Sequence, residues 1–273
     1  MLLAVYIDGE TKTGKGAASK AIVEALTQKY HVYYDVAGDF YRRYVALVRQ
    51  YLELDEADEL PRGSVLEQAA QAIYETRQAY DRTLDLGDLQ RHAISKSVSV
   101  LGELPLAQQA GAEWFKLSIE KAHEAEADVI ILDGRNPRRR VEDELPNLTI
   151  PVHTVLDLYM TCEPAEAARR AWLNRGITDP TDEQIAAETE HVLGRRNRDR
   201  QRADRPFISP TATVIFNPDT MTAKEAVDQS WQSHGGEALP LAITIDNTSL
   251  GMAPMLELVA DLSLHAIKKT IES

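Results

Sequence analysis

The chain has 273 residues, of which 44% are hydrophobic and 27% charged, as in globular proteins that bury a sizeable core. Its formal net charge of −13 argues against a general nucleic-acid-binding protein, because attraction to phosphate backbones needs a basic surface. No apolar run approaches the ~18 residues of a membrane span, and Cys162, the one cysteine, has no internal disulfide partner.

The N-terminal residues lack the basic stretch and apolar segment of a signal peptide. No Cys/His spacing indicates a zinc site, so we expect no protein metal site of that kind. These features predict a cytoplasmic protein with no membrane or nucleic-acid partner, present as a monomer or a small homo-oligomer.

Strands and helices alternate along the first half of the chain. Leu2–Ile7 is a short apolar run typical of a strand, and the apolar spacing of Lys15–Lys29 predicts a helix. Val32–Tyr34 predicts a second strand, and a helix follows over Tyr41–Tyr51. Residues 64–125 are mostly helical in pattern.

The same alternation continues in the second half. Further strands are predicted at Val129–Leu132, Val155–Met160, Val214–Phe216 and Ala242–Ile245. Helices are predicted at Pro164–Asn174 and at Asp182–Arg202. Strands separated by helices predict an α/β fold with a largely parallel central sheet.

A glycine-rich loop lies between the first predicted strand and the first predicted helix. Gly9, Gly14 and Lys15 form the Gly-x-x-x-x-Gly-Lys pattern of a P-loop in its required context. Glycines let backbone N–H groups wrap around phosphate oxygens, and the helix N-terminus and the lysine add positive charge. The predicted phosphate-binding residues are Gly9, Thr11, Lys12, Thr13, Gly14, Lys15, Gly16 and Ala17. The alternative is a tight glycine turn with an incidental lysine.

Charged residues follow two other predicted strands. In an open α/β sheet, ligands bind beyond the carboxyl ends of the strands. Asp133 is a candidate for holding a magnesium-bound water, and Arg135 for clamping an acceptor phosphate. The alternative is a surface turn with an incidental charge pair. Arg138–Arg140 are expected to be solvated or to act only as loose charges.

Asp35, Tyr41 and Arg42 follow the second predicted strand, near its carboxyl end. Arg42 is a candidate for binding an acceptor phosphate. The alternative is that Arg42 forms an ion pair on the exposed surface.

The acidic chain contains one arginine-dense stretch, with six arginines and two aspartates from Arg195 to Arg205. Arg195, Asp199 and Arg202 share one helix face with Arg198. Like charges packed in this way favour an anionic ligand, such as a phosphoryl group in transfer. A solvated basic face is the competing interpretation.

Four separated motifs together resemble the bacterial cytidylate (CMP/dCMP) kinases. They are the P-loop with its Gly-Lys-Gly, the Gly-x-x-Tyr-Arg of Gly38–Arg42, the Asp-Gly-Arg of Asp133–Arg135, and the Arg/Asp/Arg set of Arg195, Asp199 and Arg202. The turn after the last predicted strand, at Ile245–Thr248, is also similar.

This resemblance implies a kinase that transfers a phosphoryl group from ATP, with Mg²⁺, to CMP or dCMP. It implies a three-layer P-loop NTPase fold with a five-stranded parallel sheet, an acceptor-binding insert and a helical lid. Lys15, Arg195 and Asp133 would be catalytic, and Mg²⁺ would be held mainly by the nucleotide and water. The acceptor would be bound by Asp35, Tyr41, Arg42, Arg91, Arg135, Asp199 and Arg202.

The chain departs from the family pattern at several positions. Asn136 stands where the family usually has Asp, Ala37 where it has Ser or Thr, and Ala17 where it has Thr. The insert is helical in pattern instead of β-rich, and an extra stretch spans residues 211–241. Two alternatives stay open: a P-loop kinase for another small acceptor, and a catalytically weak ATP-binding regulatory protein.

We therefore expect one P-loop kinase domain over residues 1–273. Its core would comprise residues 1–50 and 105–175, the acceptor-binding insert 51–104 and the lid 176–205. Residues 206–273 would complete the core and include the extra unit.

Overall fold

The computed structural model describes residues 1–89, 91–144, 146, 148–200, 214–216, 220–233 and 241–272. In chain order the elements of its first half are β1 (Leu2–Gly9), α1 (Lys15–Thr27), β2 (Val32–Val36), α2 (Ala37–Tyr51), α3 (Ser64–Thr76), a 3₁₀ turn (Gln78–Tyr80), α4 (His92–Leu101) and α5 (Pro105–Glu124). The second half contains β3 (Val129–Asp133), α6 (Pro137–Glu144), β4 (Val152–Thr161), α7 (Pro164–Leu173), α8 (Asp182–Arg200), β5 (Val214–Phe216), α9 (Ala223–Ser233), β6 (Leu241–Asp246) and α10 (Met252–Glu272).

The described strands form one six-stranded sheet in the order β2-β3-β1-β4-β6-β5. The pairs β1–β3, β1–β4, β4–β6 and β5–β6 are all parallel. Strand β1 is buried along its whole length because it lies inside the sheet and is covered by helices on its faces. The predicted α/β class with a parallel sheet and helical surroundings is confirmed.

The sheet differs from the expected five strands by the short edge strand β5. Val214–Phe216 pairs with β6 in register Val214 to Ile243 and Phe216 to Ile245. It comes from the extra stretch that precedes the last strand. The extra stretch thus widens the sheet by one strand and adds α9, which packs on β6 and α10.

Two element boundaries carry information about the site. Helix α2 begins at Ala37, four residues earlier than expected, so Tyr41 and Arg42 lie in its second turn. Helix α6 begins at Pro137 in a stretch that has no clear helical pattern, and proline is well tolerated in the first turn of a helix.

The chain divides into two compact units. The first comprises Met1–Asp35, Ala122–Arg138 and Ile150–Ser273. Its core packs alternate strand residues, from one face of the sheet, against α1, α9 and α10, with fully buried side chains such as Ile7, Ile22, Leu158 and Val259. The aliphatic content of this core explains why the strands are continuous apolar runs in the sequence.

The second unit comprises Val36–Lys121 and Arg139–Thr149, and apart from Val36 at the end of β2 its described secondary structure is helical. Its core contains Phe40, Tyr44 and Trp114, with the Phe40 and Trp114 rings stacked 5.1 Å apart. Trp114 is therefore a core residue. Within the described part of the chain, no helix has both the length and the apolar character needed to cross a membrane.

Candidate functional site

The glycine-rich loop lies at the carboxyl edge of the sheet, where the ends of four strands meet. Gly9 pairs with Met160 of β4, and the neighbouring strands β3 and β6 end at Asp133 and Asp246. A Cβ on Gly9 would lie 2.6 Å from the Met160 carbonyl oxygen, so only glycine allows this close approach. Gly14, with φ of 85°, caps the N-terminus of α1.

The loop keeps its amide groups available for an anion. In the described residues, the N–H groups of residues 12–16 donate to no backbone carbonyl, whereas those of Ala17 and Ala18 donate to the Gly14 carbonyl. Free N–H groups at the start of a helix form a phosphate-binding cradle. The geometry agrees with the phosphate-binding loop that the sequence predicts.

Lys15 and Asp133 form an ion pair at the base of the loop. The Lys15 Nζ contacts Asp133 Oδ1, and the Ser19 hydroxyl donates to Asp133 Oδ2 over 2.8 Å. Asp133 is almost completely buried, while Lys15 remains partly exposed. The structure therefore brings together two of the three predicted catalytic residues and adds Ser19, one helical turn after Lys15.

A second carboxylate, Asp8, is buried beside this pair. It accepts hydrogen bonds from the backbone N–H groups of Gly9, over 2.6 Å, and Asn136, over 3.0 Å. Burial raises the pKa of Asp8 above its ordinary value, although the charges of Arg135 and Lys15 and the two N–H donors act in the opposite direction. Arg135 donates to the Gly9 carbonyl over 2.5 Å, so it braces the loop.

The Asn136 departure from the family pattern has a local explanation. Asn136 has φ of 47°, a left-handed conformation that asparagine adopts more readily than most residues. Its contact with Asp8 uses the backbone N–H group. The side chain at position 136 is therefore not required for that hydrogen bond.

The turn after β6 supports the loop from another side. Asn247 is fully buried, and its Nδ2 donates to the Thr13 carbonyl over 2.6 Å. Arg170 on α7 donates to Asn247 Oδ1 over 3.0 Å and to the carbonyls of Asn247 and Leu250. The resemblance at Ile245–Thr248 thus falls on residues that hold the phosphate loop.

Helix α8 contacts the loop through opposite charges. Arg196 Nη1 lies 2.6 Å from Glu10 Oε2, and both side chains are more than nine-tenths buried. Lys12 has φ of 64° and lies within electrostatic reach of Glu188 and Arg195. Glu10 and Lys12 therefore face α8 instead of pairing with each other.

A cavity of about 280 Å³ opens beside the Glu10–Arg196 pair. It is lined by residues from the loop, from the ends of β4 and β6, and from α8, namely Glu10, Thr161, Cys162, Glu163, Pro164, Leu193, Arg196, Asn197 and Asp246. Burial raises the pKa of the Cys162 thiol, which favours its neutral form and argues against a nucleophilic role.

The predicted lid residues are only partly described. Arg195 lies on α8, half-buried, on the side of the phosphate loop that Lys12 occupies. Asp199 belongs to the same helix, but its side chain is not among the described ones, and neither is that of Arg198. Arg202 lies outside the described residues.

In the second unit, Tyr41 forms a buried cluster with a residue that was expected to be solvated. Arg140 is 4% exposed, and its Nη1 donates to the Tyr41 hydroxyl over 2.7 Å. The expectation of a solvated Arg140 is therefore wrong, because α6 turns this side chain inward, onto the ring of Tyr41. Arg139 is exposed as expected, and Arg138 lies 3.5 Å from Asp157.

Two other predicted acceptor residues have local partners, and a third is buried. Arg42 donates to Asp39 over 2.8 Å, a one-turn pair on a partly exposed face of α2. Arg91 caps α4, donates to the Asp88 carbonyl and lies 3.7 Å from Glu56. Asp35 is buried at the end of β2. Exposed pairs of this kind contribute little stability, so Arg42 and Arg91 can be recruited by a ligand at small cost.

Sequence reasoning missed several residues that shape the site in the first unit, namely Asp8, Ser19, Arg170 and Arg196. Ser19 had a usable signal because it lies four residues after Lys15 on the same helix face. The partners of the others come from distant parts of the chain, which no local pattern shows. In the described residues no three His, Cys, Asp or Glu side chains form a cluster that could hold a metal ion.

Comparison with known proteins gives one family match. A family model described as Cytidylate kinase matches residues 5–234, which is most of the chain. No curated protein matches the chain significantly. The matched range includes the phosphate loop, Asp133–Arg135 and the Arg195 region.

Proposed function

The chain belongs to the cytidylate kinase family, and from that membership we propose that it transfers the γ-phosphoryl group of ATP to CMP or dCMP. Membership of the family supports a kinase that acts on nucleoside monophosphates. The proposal adds that ATP is the donor, that a cytosine nucleotide is the acceptor, and which residues carry out the reaction.

One observation carries the proposal: Lys15, Asp133 and Ser19 meet directly beneath a loop with free N–H groups. A P-loop lysine needs a fixed orientation to steady the β- and γ-phosphates in transfer. Asp133 provides that orientation, and it neutralises the ammonium group while no phosphate is present. Bound phosphates would then share the lysine with Asp133.

The residues at this position fit a magnesium ion carried by ATP. Asp133 Oδ2 and the Ser19 hydroxyl are hard oxygen groups, which suit Mg²⁺ and its water ligands. Mg²⁺ would neutralise phosphate charge when bound. The chain's own contribution is to orient Lys15, to place loop N–H groups on the phosphates, and to supply Arg195 from α8 for developing charge.

The acceptor side of the proposal rests on the resemblance. Arg42, Tyr41, Arg91, Asp35, Arg135, Asp199 and Arg202 are the proposed acceptor-binding residues. Closure of the proposed lid, residues 176–205, would exclude water and suppress hydrolysis of ATP. We also propose a cytoplasmic location and a role in pyrimidine nucleotide metabolism.

Product analysis tests the acceptor directly. Mg-ATP is incubated with CMP, dCMP, UMP, AMP or GMP, each separately and against a control without acceptor. Fastest formation of CDP or dCDP is the expected result. Another diphosphate as the main product would support the alternative acceptor, and ATP binding without any transfer would support a regulatory protein.

A variant of the loop lysine tests the catalytic assignment. Lys15→Ala is expected to lose about 10²-fold or more in kcat while keeping its fold, because the lysine acts on charge in the transfer step. Lys20→Ala, on an exposed face of the same helix, is the matched control and should retain full turnover. Full turnover in Lys15→Ala would refute the assignment.

A further inference from the structure

Glu10 is an unusual residue for a phosphate-binding loop because its carboxylate carries the same sign of charge as the ligand. Its side chain is buried, and the loop holds it in place through the backbone. The Glu10 N–H group donates to the Met160 carbonyl over 2.9 Å, and the Thr13 hydroxyl donates to the Glu10 carbonyl over 2.9 Å. A movement of Glu10 away from this position would therefore break the hydrogen bond between the loop and β4.

Arg196 supplies the counter-charge from α8. The two side chains approach to 2.6 Å and are 6% and 7% exposed, so solvent screens neither charge effectively. Within the Arg196 guanidinium group, Nη1 contacts Glu10. The Nε and Nη2 groups are buried and have no acceptor in the described part of the chain. Arg196 thus places further hydrogen-bond donors at the wall of the cavity.

The size of the electrostatic effect decides whether this pair matters for the reaction. Every residue of a loop that wraps around phosphate lies close to it. Two unit charges about 8 Å apart interact by about 2 kcal/mol at an effective dielectric constant of about 20. That is roughly a 30-fold effect on an equilibrium constant, so an unneutralised Glu10 would oppose ATP binding strongly.

We propose that Arg196 is a positioning residue for the donor nucleotide: it neutralises Glu10 and thereby makes the phosphate loop compatible with ATP. The inference rests on the proposed function, since it concerns the same loop. It assigns to α8 a role in ATP affinity that is separate from the proposed action of Arg195 on the transferring phosphoryl group.

A charge cycle at the two positions tests this role. The variants are Glu10→Gln, Arg196→Gln, Arg196→Lys and the double variant Glu10→Gln/Arg196→Gln. The measurements are KM for Mg-ATP, kcat, and the affinity for a non-hydrolysable ATP analogue with Mg²⁺ by calorimetry. Arg169→Gln is the matched control, because Arg169 forms an exposed pair with Glu166 on α7.

The single variants should shift ATP affinity in opposite directions. Arg196→Gln should raise KM for ATP about tenfold or more, and Glu10→Gln should lower it several-fold. The double variant and Arg196→Lys should stay within about threefold of the wild-type protein. In all of them kcat should change little, because the charges act alike on bound ATP and on the transition state.

A merely structural role gives a different pattern. It predicts that both single variants weaken binding or reduce the active fraction, and that the double variant is at least as impaired as either. That result, or an unchanged KM in Arg196→Gln, would overturn the inference. If Arg196→Gln fails to fold, an ATP affinity of Glu10→Gln equal to or weaker than that of the wild-type protein would overturn it as well.

The experiment separates this inference from the proposed function. A wild-type protein that binds the ATP analogue and phosphorylates an acceptor, with no opposite shifts in the variants, would overturn the inference alone. A wild-type protein that binds no Mg-nucleotide would overturn both. A protein that binds ATP without transfer, with the opposite shifts present in calorimetry, would support the inference and refute the kinase.

Discussion

Gly111 shows how a single residue is constrained by parts of the chain far from it. It lies inside helix α5, where a Cβ would be 2.3 Å from the Tyr41 hydroxyl and 2.5 Å from Arg140 Nη1. Helix propensity alone favours alanine over glycine by about 1 kcal/mol. The close approach of Tyr41 and Arg140 is therefore the physical reason for glycine at this position.

Gly111→Ala is expected to destabilise the protein by about 1–2 kcal/mol, because overpacking of a buried cluster outweighs the gain in helix propensity. Unfolding in urea, followed by circular dichroism, measures the change. Gly16→Ala is the control for propensity, since a Cβ there meets nothing within 4 Å. A Gly111→Ala variant as stable as Gly16→Ala would show that Tyr41 and Arg140 move aside with no loss of unfolding free energy.

At the scale of elements, Glu113 connects α5 to α3 and to the 3₁₀ turn. Its carboxylate contacts Arg77, and it accepts hydrogen bonds from Tyr74, from Gln109 over 3.3 Å and from Tyr80 over 3.1 Å. Burial alone would raise the pKa of Glu113. The hydrogen bonds from Tyr74, Arg77 and Gln109, with the charge of Arg77, outweigh burial and lower this pKa.

A lowered pKa makes this connection dependent on pH. Glu113 binds its proton more weakly in the folded protein than in the unfolded chain, so its stabilising contribution is complete above the ordinary pKa of 4.5. The contribution is lost as the pH falls through the lower folded pKa. We expect Glu113→Gln to lower the free energy of unfolding by about 1 kcal/mol near pH 7, and by progressively less below pH 4.5. The expected value is small because Glu113 is partly exposed to solvent, which weakens its interactions.

The difference in unfolding free energy between wild type and Glu113→Gln, measured at a series of pH values, checks this expectation. Glu120→Gln on the same helix is the control, because Glu120 is exposed and lies 3.9 Å from Lys116 in a one-turn pair. A difference that stays constant from pH 7 to pH 3 would mean that Glu113 acts through packing and not through its charge.

The elements near the site differ in how far the sequence predicts them. Strands β1 and β3 are mainly continuous apolar runs, and the glycine pattern after β1 indicates the loop, because both signals are local. Helix α6 and the burial of Arg140 were not predictable. They depend on Tyr41 and Gly111, which are distant in sequence and carry no periodic pattern. The Glu10–Arg196 pair was missed for the same reason.

At the scale of the whole molecule, the first unit is assembled from three separate stretches of chain. Strand β1 lies between β3 and β4, and β6 follows β4, so segments from the beginning, middle and end of the chain share one sheet. The proposed phosphate loop, near residue 10, is consequently supported by residues that lie much later in the chain. Asn247 and Arg170 belong to this support.

Asn247→Ala tests this long-range support. The substitution removes the donor to the buried Thr13 carbonyl and one acceptor of the partly buried Arg170, which keeps its backbone acceptors. Leaving a buried polar group unsatisfied costs about 1–3 kcal/mol, so we expect a loss of about 1–3 kcal/mol in unfolding free energy.

The proposed phosphate loop should also loosen in Asn247→Ala, because Thr13 loses its hydrogen bond to the turn after β6. We expect weaker ATP binding, about tenfold by calorimetry, in variant protein that is still folded at the temperature of measurement. Asn174→Ala, an exposed asparagine at the end of α7, should change neither quantity. Lost stability with unchanged ATP affinity would mean that the turn after β6 supports the sheet but not the loop, and the loop's geometry would then depend on Gly9 and its attachment to β4.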